Sequence, residues 1–66
     1  MIKELSVYMS DDGAKKAVIL IDLKEEILTI EFYENDKIVK TKRFPDNSIY
    51  YVEDAAENWV QGILTF

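Results

Sequence analysis

The segment IYYVEDAAENWVQG, residues 49–62, decides the fold because its apolar side chains recur with helical spacing. At about 100° per residue, they fall within one arc and most polar side chains fall opposite. The apolar arc holds Ile49, Val52, Ala55, Ala56, Trp59, Val60 and Ile63, and the other side holds Tyr50, Glu53, Asp54, Glu57, Asn58 and Gln61. We therefore predict a helix over about 48–62 that turns Trp59 towards a core.

The residues on either side of this segment mark where the helix starts and stops. Ser48 or Asn47 can cap its N-terminus, because their side chains accept hydrogen bonds from free backbone N–H groups. Gly62 is suited to the C-terminal stop, since glycine adopts the left-handed conformation without strain. Pro45 cannot donate to a sheet ladder, so it ends whatever strand precedes it.

Before Pro45 the chain changes to period two, which is typical of strands buried on one face. In KELSVYM, for example, Leu5, Val7 and Met9 alternate with polar neighbours or Tyr8. Turn residues divide this region into four runs, at about 2–10, 15–23, 27–34 and 37–44. We predict an α+β fold in a single domain, 1–66: a four-stranded antiparallel meander with one C-terminal helix packed on one face.

The first turn leaves two registers open. A three-residue loop of Asp11, Asp12 and Gly13 sets Val7 opposite Ala17, and puts Leu5 and Val7 on the same face as Ile19 and Ile21. A two-residue loop would instead pair Val7 with Val18 and move the apolar side of the first strand to the other face. We favour the three-residue loop, with Gly13 in the left-handed conformation.

The last turn favours one register through its charges. A two-residue loop of Asn35 and Asp36 sets Glu34 opposite Lys37 and Glu31 opposite Lys40. The same register places Phe32 beside Val39 and Ile30 beside Thr41, on the face that the helix covers.

The sheet face away from the helix is predicted to be apolar. Its members are Val18, Leu20, Ile27, Tyr33 and Ile38, with Phe44 as a further candidate. So much uncovered apolar surface on a small protein indicates a partner, and the simplest partner is a second copy. We predict a homodimer face formed by Val18, Leu20, Tyr33 and Ile38, or pairing through the first strand, an edge that lacks the lysine protection of the fourth.

The basic run of the fourth strand has two interpretations. Lys37, Lys40, Lys42 and Arg43 could contact phosphates, with Tyr33 or Phe44 stacking on bases. However, lysine is also a common protection of edge strands against pairing. We favour edge protection, since the chain carries a net charge of −5 and repels nucleic acid.

Composition excludes several functions. The 66 residues include no His and no Cys, so the usual general base, thiolate nucleophile and soft metal ligands are missing. The SDDG loop fails as a calcium loop, because its alignment sets Tyr8 and Ile19 where carboxylates are required. We predict no enzyme activity, no catalytic, cofactor-binding or metal site, and no cofactor. The longest apolar run, AVILI, is too short to cross a bilayer, and we expect a cytoplasmic protein.

The segment SIYYVEDAAENWVQGIL, residues 48–64, resembles the C-terminal segment of small uncharacterised proteins of marine cyanobacteria and their phages. Those proteins tend to end in a tyrosine, an acidic pair, alanines and ENWV or ENYV. The resemblance covers roughly the last quarter of the chain. It implies an origin in such a bacterium or phage-infected host, and no particular activity.

Two functions follow as predictions. The first is a non-enzymatic, homodimeric protein–protein interaction module, such as a phage accessory factor, with no membrane or nucleic-acid partner. Its partner-binding residues would be Tyr50, Glu53, Asp54, Glu57, Asn58 and Gln61. The alternative is an acidic mimic of nucleic acid that inhibits a DNA-binding enzyme through Glu53, Asp54 and Glu57.

Overall fold

The computed structural model describes residues 1–63 and shows a four-stranded antiparallel sheet followed by one helix. The elements are β1 (Ile2–Met9), β2 (Lys15–Asp22), β3 (Ile27–Glu34), β4 (Lys37–Phe44) and α1 (Ile49–Val60). Strand order in the sheet is β1-β2-β3-β4, so each strand pairs with its neighbours in sequence. The predicted fold class, a meander with a C-terminal helix packed against it, is confirmed.

Helix α1 is capped at both ends by the residues that the sequence suggests. Of the two candidate N-caps it is Ser48 whose hydroxyl accepts a hydrogen bond from the Tyr51 N–H, at 3.3 Å. At the other end, Gly62 has a φ of 81°, and the Ile63 N–H donates to the Asn58 carbonyl over 2.9 Å. This left-handed glycine closes the helix in a Schellman motif.

The core lies between α1 and one face of the sheet, which we call the covered face. Trp59 is 3% exposed and meets Phe32 edge to face, with ring centroids 4.8 Å apart. The buried residues of this core are Ala17, Ile19, Leu28, Ile30, Phe32, Phe44, Val52, Ala56, Trp59 and Val60. Aromatic pairs of this geometry add to the stabilisation that burial provides.

The predicted apolar arc of the helix is correct except at its end. Val52, Ala56, Trp59 and Val60 are buried, and the remaining helical members of the arc are half-buried. Ile63 is instead 70% exposed, because the helix ends at Val60 and the chain has already turned away through Gly62.

The favoured register of β1 is wrong. Val7 pairs with Val18, and Tyr8 pairs with Ala17. Since Ala17 lies on the covered face, Tyr8 points towards the helix, while Leu5 and Val7 do not join Ile19 there. A bulge at Leu5 shifts the pairing once more, so that Glu4 pairs with Leu20 and the next pair is Ser6 with Ile19.

The physical reason lies in how the first turn closes. Ser10 and Lys15 form the last backbone contact, so four residues, 11–14, make the loop. The Ser10 hydroxyl accepts from the Lys15 N–H at 3.0 Å and donates to the Asp12 carboxylate at 2.7 Å. That carboxylate also accepts from the Ala14 N–H. A four-residue loop sets the same strand pairs as the two-residue loop that was not favoured, with Val7 opposite Val18. It therefore places the same side chains on each face of the sheet.

The predicted register of β3 with β4 is confirmed at the turn and is wrong beyond it. Asn35 and Asp36 have φ of 52° and 66°, as a two-residue hairpin turn requires, and Glu34 pairs with Lys37. Val39 then forms a bulge, because Tyr33 pairs with Ile38 whereas Phe32 pairs with Lys40.

The bulge at Val39 moves the rest of β4 by one residue. The predicted pair of Glu31 with Lys40 is therefore wrong, and Glu31 faces Thr41. Phe44 was a further candidate for the sheet face away from the helix, and this prediction is wrong, since Phe44 pairs with Leu28 and is buried in the core at 5% exposure.

Candidate functional site

The sheet face opposite the helix, which we call the open face, has no element of residues 1–63 packed over it. Strand pairing places the following side chains on it: Ile2, Glu4, Val7, Met9, Lys16, Val18, Leu20, Asp22, Ile27, Thr29, Glu31, Tyr33, Ile38, Thr41 and Arg43. Eight of these residues are apolar or aromatic. The open face therefore carries apolar side chains on all four strands, interspersed with charged and hydroxyl side chains.

All four residues of the predicted dimer face lie on the open face. Val18 is only 7% exposed, because its neighbours on this face surround it. Leu20 and Tyr33 are half-buried, and Ile38 on β4 is 51% exposed.

Sequence reasoning missed the contribution of β1 to this surface. Val7 is 45% exposed on the open face, beside Val18, and Leu5 is 40% exposed at the bulge. Ile2 and Met9, at the two ends of the strand, are also largely exposed. The signal that could have found them is the register that pairs Val7 with Val18, which was considered for the first turn.

The polar side chains at the centre of the open face bind one another. The Tyr33 hydroxyl donates to the Glu31 carboxylate over 3.0 Å, and the Lys16 ammonium lies 4.6 Å from the centre of the Tyr33 ring. The hydrogen bond to Glu31 is the main cause that raises the pKa of the Tyr33 phenol, and desolvation adds to it. These groups are held in a fixed arrangement without an external partner.

A shallow groove of about 320 Å³ crosses the open face near the β2–β3 turn. Leu20, Ile27, Thr29 and Thr41 line it, and Asp22 and Arg43 lie among its polar residues. The Asp22 carboxylate accepts backbone hydrogen bonds from Lys24 and Glu25, and these bonds lower its pKa. Arg43 forms an ion pair with Glu25 at 3.2 Å, so both charged groups already have partners.

The six helix residues predicted to bind a partner form a polar surface on the other side of the molecule. Tyr50 is 79% exposed. The remaining side chains partly satisfy one another along the helix: the Asn58 amide donates to Asp54 and the Gln61 amide donates to Glu57, each over 3.3 Å.

Glu53 is half-buried and lies on the side of the helix that faces Tyr8 of β1. Burial raises the pKa of the Tyr8 phenol, and the carboxylates of Glu53 and Glu57 raise it further. Near the same place, an open groove of about 580 Å³ runs between the first turn and the end of the helix. Two of the acids in its lining, Asp12 and Glu57, already accept hydrogen bonds from neighbouring residues.

Within residues 1–63 no group of three or more acidic side chains is placed to hold a metal ion. The helix in this part of the chain is too short and too polar to cross a membrane. No protein-family model, no curated protein and no solved structure matches the chain. We take the open face as the candidate site because of its exposed apolar side chains.

Proposed function

We propose that this protein is a non-enzymatic interaction module that forms a homodimer through the open face of its sheet. The observation that carries the proposal is the set of exposed apolar side chains on the open face, which occur on all four strands from Ile2 and Val7 on β1 to Ile38 on β4. Large exposed apolar patches on small proteins mark interaction sites. A second copy supplies a surface that matches by symmetry, as in most twofold homodimers.

The size of the open face suits such a dimer. Strands of eight residues rise about 3.3 Å per residue and lie about 4.8 Å apart, so the four-stranded face measures about 500 Å². Two copies packed face to face would bury about 1,000 Å² in total, which is the area at which specific interfaces begin. Two sheets packed in this way form a β-sandwich.

The polar groups at the centre of the open face already have partners within this chain. A buried polar group without a hydrogen-bond partner costs about 1–3 kcal/mol. Glu31 and Tyr33 already bond to each other, and Lys16 rests on the Tyr33 ring. A second copy can therefore cover them without breaking a bond to this chain.

The exposed helix surface remains accessible in this dimer, and we propose that it meets a host or viral protein through Tyr50, Glu53, Asp54, Glu57, Asn58 and Gln61. The resemblance of residues 48–64 to cyanobacterial and phage proteins supports an accessory role in the cytoplasm of a bacterium or phage-infected host. The absence of His and Cys from the sequence supports a role without catalysis.

The dimer is tested by sedimentation equilibrium of the wild type and of two charge variants at tens of micromolar. Val7→Glu and Ile38→Glu each place a carboxylate on the open face at a position that is about half exposed in one chain. Both variants should stay folded by circular dichroism and become monomeric, because a dimer would bury the new charge.

The matched control is Tyr50→Glu, which introduces the same charge on the helix and should leave the dimer intact. A monomeric wild type would overturn the proposal. Dimerisation that weakens steeply with added salt would also contradict an apolar interface. Binding to the eventual partner that weakens steeply with salt would favour the alternative, an acidic mimic of nucleic acid.

A further inference from the structure

We propose that the free edge of β4 binds an acidic, extended segment of another protein, which adds to the sheet as a fifth strand. This surface lies at the rim of the sheet and borders the face-to-face interface at Ile38, and its backbone edge is open in the single chain, so binding here does not require the dimer. The inference rests on three features of β4: its position, its charge and the arrangement of its two sides.

The position of β4 leaves its outer edge open. It is the last strand of the sheet and pairs only with β3 within residues 1–63. Seven of its eight residues are exposed, and Phe44 is the exception. Unpaired backbone N–H and C=O groups along an edge strand are the template for β-augmentation, in which an extended peptide adds a strand.

The charge of β4 selects the kind of segment that fits. Lys37, Lys40, Lys42 and Arg43 give the strand four positive charges and no negative one, in a chain whose net charge is −5. Lys37 and Lys42 have no ion-pair partner in the described part of the chain. Arg43 binds Glu25 in an exposed ion pair, and such pairs contribute little and exchange readily.

These cations also disfavour pairing of β4 with a second positively charged strand. Two β4 edges brought together would oppose like charges, which is how lysines protect edge strands from their own copies. The same charges attract glutamate and aspartate, so the protection is selective. Nucleic acid meets the additional repulsion of the acidic chain as a whole, and it cannot use the strand's hydrogen-bonding edge in a regular ladder.

The two sides of β4 differ after the bulge at Val39. Lys40 and Lys42 project on the covered-face side, beyond α1, which packs over β1, β2 and β3. Thr41 and Arg43 lie on the open-face side, as Ile38 does before the bulge. A segment that alternates acidic and apolar residues would therefore place its acids beside the lysines and its apolar side chains beside Ile38.

The test uses a peptide of the same length as β4 that alternates glutamate and valine, added to isotope-labelled full-length protein. Amide chemical shifts should change along β4 and leave those of β1 unchanged. Binding should weaken as salt rises. The variant carrying both Lys40→Glu and Lys42→Glu should bind at least about tenfold more weakly, because two attractive charge pairs become repulsive.

Lys3→Glu is the control, because it makes one such charge reversal on the covered-face side of the opposite edge strand. It should bind the peptide like the wild type. A peptide with alternate N-methylated residues keeps its charges but cannot pair with a strand, and it should fail to bind.

Each remaining outcome overturns the proposal. Equal binding of the N-methylated peptide would mean charge attraction without strand addition. Tighter binding of single-stranded DNA would assign the edge to nucleic acid, and absence of peptide binding would leave the lysines as edge protection alone. Sedimentation of the same samples reports the dimer separately, so failure at β4 is distinguishable from failure of the open-face dimer.

Discussion

The two faces of this sheet carry similar side chains and have different surroundings. On the covered face, Ile19, Ile30 and Phe32 are at most 1% exposed beneath the helix. On the open face, Val7 and Ile38 are about half exposed in the single chain. A sheet whose two faces are both apolar has more surface to cover than one helix of 12 residues can reach.

The stability of the single chain comes mainly from the covered face. A domain of this size hides only about 60% of the surface that its unfolded chain exposes, so it depends on a few well-buried residues. These residues are concentrated on the covered face. Covering the open face would add to the stability of the assembled protein by mass action rather than to that of the isolated chain.

The largest expected effect comes from truncating an isoleucine of the covered face, and the same truncation on the open face provides the comparison. Ile30→Ala should lower the free energy of unfolding by about 2–5 kcal/mol, because it leaves a cavity beneath the helix. Ile38→Ala should lower it by less than about 1 kcal/mol in the monomer, since half of the side chain is already in water. Urea denaturation followed by Trp59 fluorescence, at protein concentrations that keep the chain monomeric, measures both.

Equal losses at Ile30 and Ile38 would remove the distinction between the faces. Repeating the Ile38→Ala measurement at high protein concentration tests whether a dimer covers the open face. If the dimer buries this residue, the loss of stability relative to the wild type should grow at concentrations where the wild type is dimeric.

The next effect separates the faces within β1 itself. Tyr8 packs against the core from the covered face, whereas Val7, one residue earlier, lies on the open face. Tyr8→Ala should destabilise the monomer by about 1–3 kcal/mol, and Val7→Ala by less than about 1 kcal/mol. Thermal unfolding monitored by circular dichroism gives both values, and the reverse order would restore the register that puts Val7 under the helix.

A smaller effect concerns how the helix is held over the covered face. Ser48→Ala removes the hydroxyl that accepts from the Tyr51 N–H and should cost about 1 kcal/mol. Asn47→Ala is the control and should change the free energy of unfolding by no more than about 0.5 kcal/mol. A larger loss at Asn47 in urea denaturation would assign the cap to that residue.

The covered face was predictable from sequence in its interior strands and in the helix. Ile19, Ile21, Leu28 and Ile30 alternate along two strands that have neighbours on both sides, so period two alone assigns their faces. In the helix, the spacing of Val52, Ala56 and Trp59 placed the indole in the core. The predicted members of the open face on β2 and β3 follow from the same alternation.

The edge strands were not predictable in the same way. The bulges at Leu5 and Val39 each add one residue, and neither has a glycine or proline to mark it. The first turn depends on a side-chain network, because Ser10 and Asp12 close four residues where a glycine-based loop would close three. A change of one residue in either place moves the side chains that follow to the other face.

The smallest expected effect tests that network through its dependence on pH. Hydrogen bonds from the Ala14 N–H and the Ser10 hydroxyl hold the pKa of Asp12 below its ordinary value of 3.8. Because the folded state favours the charged carboxylate, its stabilising contribution is complete above about pH 4 and is lost as the pH falls through the lowered pKa. Carboxyl resonances of Asp12 in the folded protein should therefore titrate below those of an unfolded peptide.

Asp12→Asn gives the matching change in stability. Asparagine removes the charge, so the stability of this variant should fall less steeply than that of the wild type between about pH 4 and pH 2. Asp11→Asn, the same substitution one residue earlier and outside the network, should keep the wild-type slope. These hydrogen bonds close a loop of four residues, and this loop length places Val7 on the open face and Tyr8 on the covered face. Losing them would therefore weaken the preference of β1 for its register. A wild-type slope in Asp12→Asn would mean that β1 takes its register from the packing of Tyr8 against the helix instead of from the turn.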